Sequence, residues 1–305
     1  MSRSRTIPYD VNGRTVFITG AARGIGAATA ERLHAKGANV ALVGLEPERL
    51  EALAERLGTD RATWFDVDVT DFDALERAVA GTVRRFGGID VAIANAGLQF
   101  NGALGTAPVE QIERILAVNF LGVWRTDRAV IGQITERRGY LLNIASLSAI
   151  VRGPLLGAYT ATKAGVEALS DSLRSETAPS GARVGCAYFG FLDTDLVKAG
   201  FAQPSGAAVM ARMPGFIRNP APLPIAIDAI EQGIERRSAR VWAPRWVGPM
   251  ILLRGVLQPA IERGAQRSPQ LPEALRMADP ATGGAGSDAV RNQDPLLGVA
   301  VEALE

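Results

Sequence analysis

The amino-acid sequence predicts an α/β fold built on a doubly wound parallel sheet, and two observations support this class. Short apolar runs rich in β-branched residues alternate with helical stretches of roughly 10 to 20 residues. Glycine or a polar residue follows most of these runs, as expected where strands end at a ligand-binding edge. With 305 residues, 47% of them hydrophobic and 21% charged, the chain can bury a substantial core. We therefore expect a single large domain.

The first predicted strand, residues 15–19, leads directly into a glycine-rich turn and a helix. The turn has the spacing G-x-x-x-G-x-G and includes Gly20, Arg23, Gly24, Ile25 and Gly26. Glycines let the backbone turn sharply and approach a pyrophosphate, whose charge is met by amides at the helix N-terminus. A glycine motif alone is weak evidence, because such turns also simply end strands.

Six further apolar runs predict strands at 39–43, 62–66, 90–94, 140–144, 183–188 and 239–243. The residues that follow the second to sixth runs are candidates for one ligand-binding edge: Gly44 and Glu46, then Asp68 and Val69, then Asn95, Ala96 and Gly97, then Ser146, then Gly190. A helical stretch at about 108–133 contains Asn119. Asparagine is an indifferent helix former, so we expect Asn119 to be either exposed or functional.

Tyr159 and Lys163 stand four positions apart in a helical segment and therefore share one helix face. For a tyrosine to exchange a proton near neutral pH, its pKa must fall by roughly 3 units, or about 4 kcal/mol. One lysine ammonium about 4 Å away supplies an energy of that order at an effective dielectric near 20. An isolated pair of this kind more often decorates a solvated helix face, but the accompanying motifs favour a site.

In this order, the motifs resemble those of the short-chain dehydrogenase/reductase superfamily, in its compact branch, over about residues 14–243. The resemblance implies a Rossmann-type sheet of about seven strands and hydride transfer between a nicotinamide and a carbonyl or secondary alcohol carbon. It implies that Tyr159 is the general acid and base, and that Lys163 lowers its pKa and holds the nicotinamide ribose. Ser146 would bind the substrate oxygen, and Asn119 would anchor a water in a proton relay.

The same resemblance implies an NAD(P) cofactor. Its candidate contacts are Gly20, Arg23, Gly24, Ile25, Gly26, Gly44, Glu46, Asp68, Val69, Asn95, Ala96, Gly97, Tyr159, Lys163, Gly190 and Thr194. Gly44 stands where NAD-dependent members usually carry an acid, which favours NADP with Arg23 at its 2′-phosphate. Glu46 could instead reach a ribose hydroxyl and favour NAD. Phe189-Gly190 replaces the usual Pro-Gly, which changes a pocket wall and leaves the chemistry intact.

The substrate side is predicted from residues 195–224, a segment rich in proline, glycine and alanine. It carries Phe201, Met210, Met213 and Phe216, and flexible apolar lids accommodate apolar ligands. We therefore expect a fatty, terpenoid or steroid-like alcohol or ketone; the alternative is that these residues only pack the loop onto the body.

Around this core we expect an N-terminal arm at 1–13, a helical extension at 244–267 and a flexible tail at 268–305.

The extension could contact a membrane through residues 246–261 or pack on a partner, and by default it covers the protein's own core. The net charge of +1 gives no case for nucleic acid. The single cysteine, Cys186, excludes an internal disulfide and any metal site built from several cysteines. The single histidine, His34, leaves a metal without its commonest ligand and is expected at the surface. We see no signal peptide or membrane span, and we expect a cytoplasmic protein.

Three further expectations concern partners and competing functions. The family resemblance implies a homo-oligomer, a dimer or tetramer. A 3-oxoacyl thioester reductase that acts on a carrier protein is an alternative, and it would need a basic docking patch, for which Arg125 and Arg128 are candidates. A non-catalytic dinucleotide-sensing regulator is a second alternative, but it would be expected to lack Tyr159 or Lys163, and both are present.

Overall fold

The structure, a computed structural model, describes residues 8–195, 197–198 and 215–279. Most of the predicted substrate loop lies outside these residues, including Phe201, Met210, Met213 and the side chain of Phe216. Residues 1–7 and 280–305, parts of the predicted arm and tail, also lie outside them.

A seven-stranded sheet, parallel throughout, forms the centre of the described chain, with the strand order β3-β2-β1-β4-β5-β6-β7. The strands are β1 Thr15–Thr19, β2 Asn39–Gly44, β3 Ala62–Asp66, β4 Val91–Ala94, β5 Tyr140–Ile144, β6 Arg183–Phe189 and β7 Arg240–Ala243. Each predicted strand is present, with ends within one residue of the prediction. The order reverses between β1 and β4, and the crevice at the carboxyl ends of these strands is where such sheets bind ligands.

Helices cover both faces of the sheet. They are α1 Gly24–Ala35, α2 Pro47–Leu57, α3 Phe72–Phe86, α4 Val109–Leu116, α5 Gly122–Glu136, α6 Gly157–Thr177, α7 Gly215–Arg218, α8 Leu223–Arg236, α9 Val247–Gln266 and α10 Leu271–Met277. A π-helical turn, Ala117–Leu121, joins α4 to α5, and short 3₁₀ turns occupy Leu147–Ala149 and Ala178–Ser180. No helix among the described residues has the length and apolar character needed to cross a membrane.

The core lies in two layers because neighbouring side chains of a strand point to opposite faces. In β1, Val16 and Ile18 pack into the cluster under α1, α2 and α8, whereas Phe17 packs into the cluster under α3 and α5. All three side chains are fully buried, which explains why the strand is apolar without alternation. Burial of each such side chain contributes about 1.5–3 kcal/mol before the entropy cost of folding.

One sequence prediction about burial is wrong. His34, expected at the surface, is buried in the last turn of α1, where the Arg61 guanidinium donates to its carbonyl oxygen. Desolvation, with a smaller contribution from the charge of Arg61, lowers the pKa of the His34 imidazole. Helix α10 lies in the first part of the predicted tail and buries Ala274 against Leu155. Helix α9 lies within the predicted extension, and the division into arm, domain, extension and tail stays a prediction.

Candidate active site

Two glycines let the turn after β1 pack tightly against the loop after β4. A Cβ on Gly20 would lie 2.8 Å from Cα of Ala96, and one on Gly26 would clash with the carbonyl oxygen of Gly20. The Asn95 amide fixes this approach, because Nδ2 donates to the carbonyl oxygens of Thr19 and Gly20, each at 3.0 Å. Gly20, Gly26, Asn95 and Ala96 therefore meet at the switch point of the sheet.

The N-terminus of α1 fits the pyrophosphate of a dinucleotide. Gly24 begins the helix with φ +58°, and a Cβ there would meet nothing within 4 Å among the described residues. The first turn contains no acidic residue, and no described side chain caps its amides. The amides around Gly24, Ile25 and Gly26 can therefore receive an anion, as a phosphate site requires.

Arg23 and Glu46, which we expected to compete for the ribose end of the cofactor, form an ion pair. Arg23 Nε lies 2.9 Å from Glu46 Oε1, and Arg49 Nε lies 3.0 Å from Oε2. Gly44 adjoins the glycine turn, since a Cβ on it would lie 3.7 Å from the backbone nitrogen of Ala21. The sequence analysis did not predict the ion pair of Arg49 with Glu46, although their i, i+3 spacing at the start of α2 indicated it.

Asp68 lies beyond β3 and is also paired. Its Oδ1 accepts from the Thr70 amide at 2.8 Å, and its Oδ2 lies 3.2 Å from Arg114 Nη2. Burial alone would raise the pKa of this carboxyl, but the hydrogen bonds from Thr70 and the charge of Arg114 outweigh burial and lower it. The Val69 side chain is buried in the core, so only its backbone is available to a cofactor.

Ser146, Tyr159 and Lys163 converge where β5 ends against α6. Lys163 Nζ is buried, donates to the Ile144 carbonyl oxygen at 2.9 Å and lies 5.7 Å from the centroid of the Tyr159 ring. Ser146 begins the 3₁₀ turn, with Oγ accepting from the Ser148 amide at 3.1 Å, and its side chain is hydrogen-bonded to the Tyr159 phenol. The structure thus brings three of the four predicted catalytic side chains into one cluster.

The fourth, Asn119, is buried in the π-helical turn and clamps the loop after β4. Its Oδ1 accepts from the Leu98 amide at 2.7 Å, and its Nδ2 donates to the Leu98 carbonyl oxygen at 2.8 Å. A Cβ on Gly97 would lie 3.3 Å from Asn119 Oδ1 and 3.6 Å from Lys163 Nζ. The extra residue of a π turn is frequent at functional sites, and here it occurs at the asparagine that the sequence singled out.

The pKa of Tyr159 departs from the sequence prediction. Burial raises the pKa of the phenol, and the hydrogen bond with Ser146 lowers it by less. Burial also lowers the pKa of Lys163 to about 8. The net shift in this structure is therefore a rise, because desolvation of the phenol dominates and the Lys163 ammonium donates to the Ile144 carbonyl oxygen. The lowering contribution expected from Lys163 stays a prediction.

The strand-six side of the crevice is shaped by residues beyond β7. A Cβ on Gly190 would lie 3.1 Å from the indole of Trp246 and 3.2 Å from Pro244. Thr194 follows on the same segment, where its Oγ1 accepts from the Val197 amide at 3.4 Å. Gly190 is thus needed where the Trp246 ring covers the turn.

Comparison with known proteins agrees with this geometry. The sequence pattern of the short chain dehydrogenase family matches residues 14–205. The chain belongs to the short-chain dehydrogenase family. It is an oxidoreductase with an NAD(P)-binding Rossmann fold, and the predicted family and fold class are confirmed.

Two relatives and one solved structure illustrate the range of this family. The chain is 35% identical over 209 residues to 2-(R)-hydroxypropyl-CoM dehydrogenase of Xanthobacter autotrophicus, covering 66% of this chain and 84% of that protein. It is 30% identical over 211 residues to 3beta-hydroxysteroid dehydrogenase 1 of Eggerthella lenta, covering 67% and 80%. An alcohol dehydrogenase from the archaeon Thermococcus sibiricus, complexed with 5-hydroxy-NADP, superposes with a TM-score of 0.57 at 32% identity and covers 59% of this chain and 77% of that one.

In this short-chain dehydrogenase, helix α9 lies beyond the family match and yet contacts α6 and the loop that precedes it, the part of the chain that carries Tyr159 and Lys163. Gln258 Oε1 accepts from the Arg152 amide at 2.9 Å, and its Nε2 donates to the Arg152 carbonyl oxygen at 3.3 Å. Arg254 Nη1 donates to Glu167 Oε1 in α6 at 2.6 Å. Sequence reasoning missed these side chains; the available signal was Glu167, four positions after Lys163 on the same helix face.

Proposed function

We propose that Tyr159 is the general acid when this dehydrogenase reduces a carbonyl, and the general base when it oxidises an alcohol. The observation that carries the proposal is the convergence of the Tyr159 phenol with Ser146 and Lys163 at the carboxyl edge of the sheet. A bound nicotinamide supplies or accepts the hydride. Because burial raises the Tyr159 pKa, the phenol holds a proton at neutral pH that it can donate to a carbonyl oxygen.

The neighbouring side chains have separate tasks in this proposal. Ser146 binds the substrate oxygen beside the phenol. Lys163 holds the nicotinamide ribose, and its positive charge favours the phenolate left after proton transfer. Asn119 fixes the loop that carries Gly97, beside Lys163. The proton-relay water at Asn119 stays a prediction.

For the cofactor we favour NADP over NAD. Strand β2 ends in Gly44 without a carboxylate, and Arg23 lies beside that end. Both carboxylate oxygens of Glu46 are held by arginines, so this acid is not free to turn to a ribose hydroxyl unless an ion pair breaks. The Thermococcus sibiricus alcohol dehydrogenase was solved with an NADP derivative, which supports the same choice. Parallel fluorescence titrations with NADPH and NADH test it, and tighter NADH binding would contradict it.

The proposed substrate is a hydrophobic alcohol or ketone of fatty, terpenoid or steroid-like type. Apolar side chains surround the turn that follows Ser146, namely Leu147, Ile150, Val151, Trp246 and Met250. The relative from Eggerthella lenta is named for a hydroxysteroid.

The competing carrier-protein reductase would need exposed arginines at Arg125 and Arg128, but Arg125 is half-buried. A homo-oligomer is proposed through the α4 to α5 face, where Leu116, Leu121 and Trp124 are exposed.

The decisive experiment combines a substrate panel with a matched pair of tyrosine variants. Steroid and long-chain ketones are offered with NADPH beside small polar carbonyls, and we expect turnover of the apolar compounds. Tyr159→Phe should lower turnover at least about a hundredfold while cofactor binding stays nearly intact. Tyr9→Phe, at the opposite edge of the sheet, is the control and should retain activity. Near wild-type turnover by Tyr159→Phe would refute the assignment. Cofactor binding without turnover of any compound would favour the non-catalytic dinucleotide-sensing regulator.

A further inference from the structure

Helix α9 has two apolar sides, and within the described ranges only one of them packs against the rest of the protein. Val247 and Ile251 are buried against the 3₁₀ turn and β6. Leu252, Leu253 and Val256 are 83%, 54% and 75% exposed. Exposed leucines scattered singly are ordinary, but three on adjacent turns of one helix form a patch. The default expectation, that the extension covers its own core, therefore accounts for only half of this helix.

The charge of this segment sets it apart from the rest of the chain. Residues 244–267 contain four arginines and one glutamate, a net charge of +3, whereas the whole chain carries +1. Arg263 and Arg267 are exposed and follow Leu252 and Val256 at spacings that place all four on the same side of a helix. The outward side of α9 is thus apolar in its first half and basic towards its C-terminus.

We infer that this outward side of α9 docks on an anionic lipid membrane, with Leu252, Leu253 and Val256 entering the interface and Arg263 and Arg267 meeting lipid phosphates. Apolar side chains beside arginines are the composition of helices that lie in a membrane surface. Each arginine near an anionic leaflet adds favourable electrostatic energy. The inference does not depend on the proposed substrate or on the role of Tyr159.

The alternative occupant of this side is a second copy of the chain, and its charge argues against it. In a twofold contact the same patch meets itself, so the arginines of both copies approach each other. Within residues 244–267 only Glu262 is available to neutralise them, and its Oε1 accepts from Gln258 Nε2 at 2.9 Å. Like charges brought together oppose association, whereas lipid phosphates complement them.

Co-sedimentation of the full-length protein with vesicles tests the inference. We expect binding to vesicles of phosphatidylglycerol and phosphatidylcholine in equal parts, and weaker binding to phosphatidylcholine alone or at high salt. The variant Leu252→Ser/Leu253→Ser/Val256→Ser and the variant Arg263→Ser/Arg267→Ser should each lower the affinity for the anionic vesicles by roughly tenfold or more. Val109→Ser, which removes an equally exposed apolar side chain at the start of α4, is the control and should bind like the wild type.

Two results would overturn the inference. One is that wild type and both variants bind the anionic vesicles equally or not at all. The other is that the triple serine variant has a lower oligomer mass than the wild type in sedimentation velocity without vesicles, because the patch would then be a contact between copies. Circular dichroism checks that every variant is folded, and oxidoreductase activity without vesicles should be unchanged in both.

Discussion

Arg254 Nη1 donates to Glu167 Oε1 at 2.6 Å, and the Tyr188 hydroxyl donates to the same oxygen at 2.9 Å. This relationship joins helix α9, which lies beyond the family match, to the helix that carries Tyr159 and Lys163 and to strand β6. Glu167 is buried, so its carboxylate depends on these two donors. A buried charge that loses its partner is costly, because the remaining carboxylate stays desolvated.

Replacing Arg254 should therefore lower catalytic activity, although Arg254 itself lies outside the active site. We expect Arg254→Met to lower kcat by roughly tenfold with a smaller change in KM, because α6 loses part of its anchor while the substrate contacts remain. Arg254→Lys should recover part of the activity, since an ammonium can still pair with Glu167. Steady-state kinetics decide, with Arg263→Met on the same helix as the control. Equal loss in the Arg254→Met and Arg263→Met variants would contradict a positioning role.

The Arg23–Glu46 ion pair should govern cofactor preference. Glu46→Gln removes a carboxylate from the end of β2 and releases Arg23 and Arg49, which then present two cations to a 2′-phosphate. We expect the ratio of the NADH to the NADPH dissociation constant to rise roughly tenfold, as measured by fluorescence titration. Glu48→Gln, an exposed acid two positions further on, should leave this ratio unchanged. An unchanged ratio would contradict this role, and a rise that comes only from weaker NADH binding, with the NADPH dissociation constant unchanged, would mean that Glu46 binds ribose and does not repel the 2′-phosphate.

The strands of this fold were predictable because burial on both faces imposes uninterrupted apolar runs. Phe17 and Ile18 face opposite layers, and both must be apolar, so β1 is visible in the sequence alone. The meeting of polar residues at the crevice was predictable because parallel strands end at one edge of the sheet, and Asn95 and Ser146 follow two of these strands. The Tyr159 and Lys163 pair was visible from its helical spacing.

What escaped prediction depends on tertiary contacts. The burial of His34 depends on the residues that pack on the last turn of α1, and the periodicity of the helix does not reveal that packing. The direction of the Tyr159 pKa shift depends on desolvation of the phenol against its hydrogen bond with Ser146, and residue spacing does not reveal that balance. The contacts of Arg254 and Gln258 join segments roughly 90 to 110 residues apart in the chain, and local periodicity has no information at that range.

A buried carboxyl beneath the site should make stability depend on pH. Asp127 Oδ2 accepts from Asn143 Nδ2 at 2.8 Å, while Asp127 Oδ1 and Asn143 Oδ1 are buried without a hydrogen-bond partner among the described residues. Burial raises the pKa of Asp127 to about 8, although the hydrogen bond from Asn143 lowers it. A protonated Asp127 carries the donor that two buried oxygens lack, whereas a carboxylate carries none.

The sign follows from a folded pKa that lies above the unfolded value. Between about pH 4 and 8 the unfolded chain releases this proton and the folded chain keeps it, so stability falls as pH rises, by at most about 1.4 kcal/mol per pH unit. Asp127→Asn should remove most of that slope, as measured by urea unfolding from pH 5 to 8. Asp73→Asn, at an exposed aspartate, should leave the slope as it is in the wild type. An unchanged slope in Asp127→Asn would show that Asp127 is ionised in the folded protein.

The buried ammonium of Lys163 should lower the stability of the folded protein, although the proposed function requires it. Its ammonium is buried with the Ile144 carbonyl oxygen as an acceptor, and burial lowers its pKa from 10.5 to about 8. Below pH 8 the folded protein therefore holds a desolvated cation that the unfolded chain exposes to water. This penalty is relieved as pH rises from about 8 to 10.5, because the folded state releases the proton first.

We accordingly expect Lys163→Met to be more stable than the wild type at pH 7, by up to about 3 kcal/mol, with the difference shrinking towards pH 10. The same variant should lose at least about a hundredfold in turnover, because the phenolate left on Tyr159 after proton transfer then has no neighbouring cation. Urea unfolding at the two pH values and steady-state kinetics measure the two effects. Lys36→Met, an exposed and ion-paired lysine at the end of α1, is the control and should gain no stability. A Lys163→Met variant that is both less stable and inactive would mean that the ammonium is well solvated or well paired, and that its pKa is not lowered by burial.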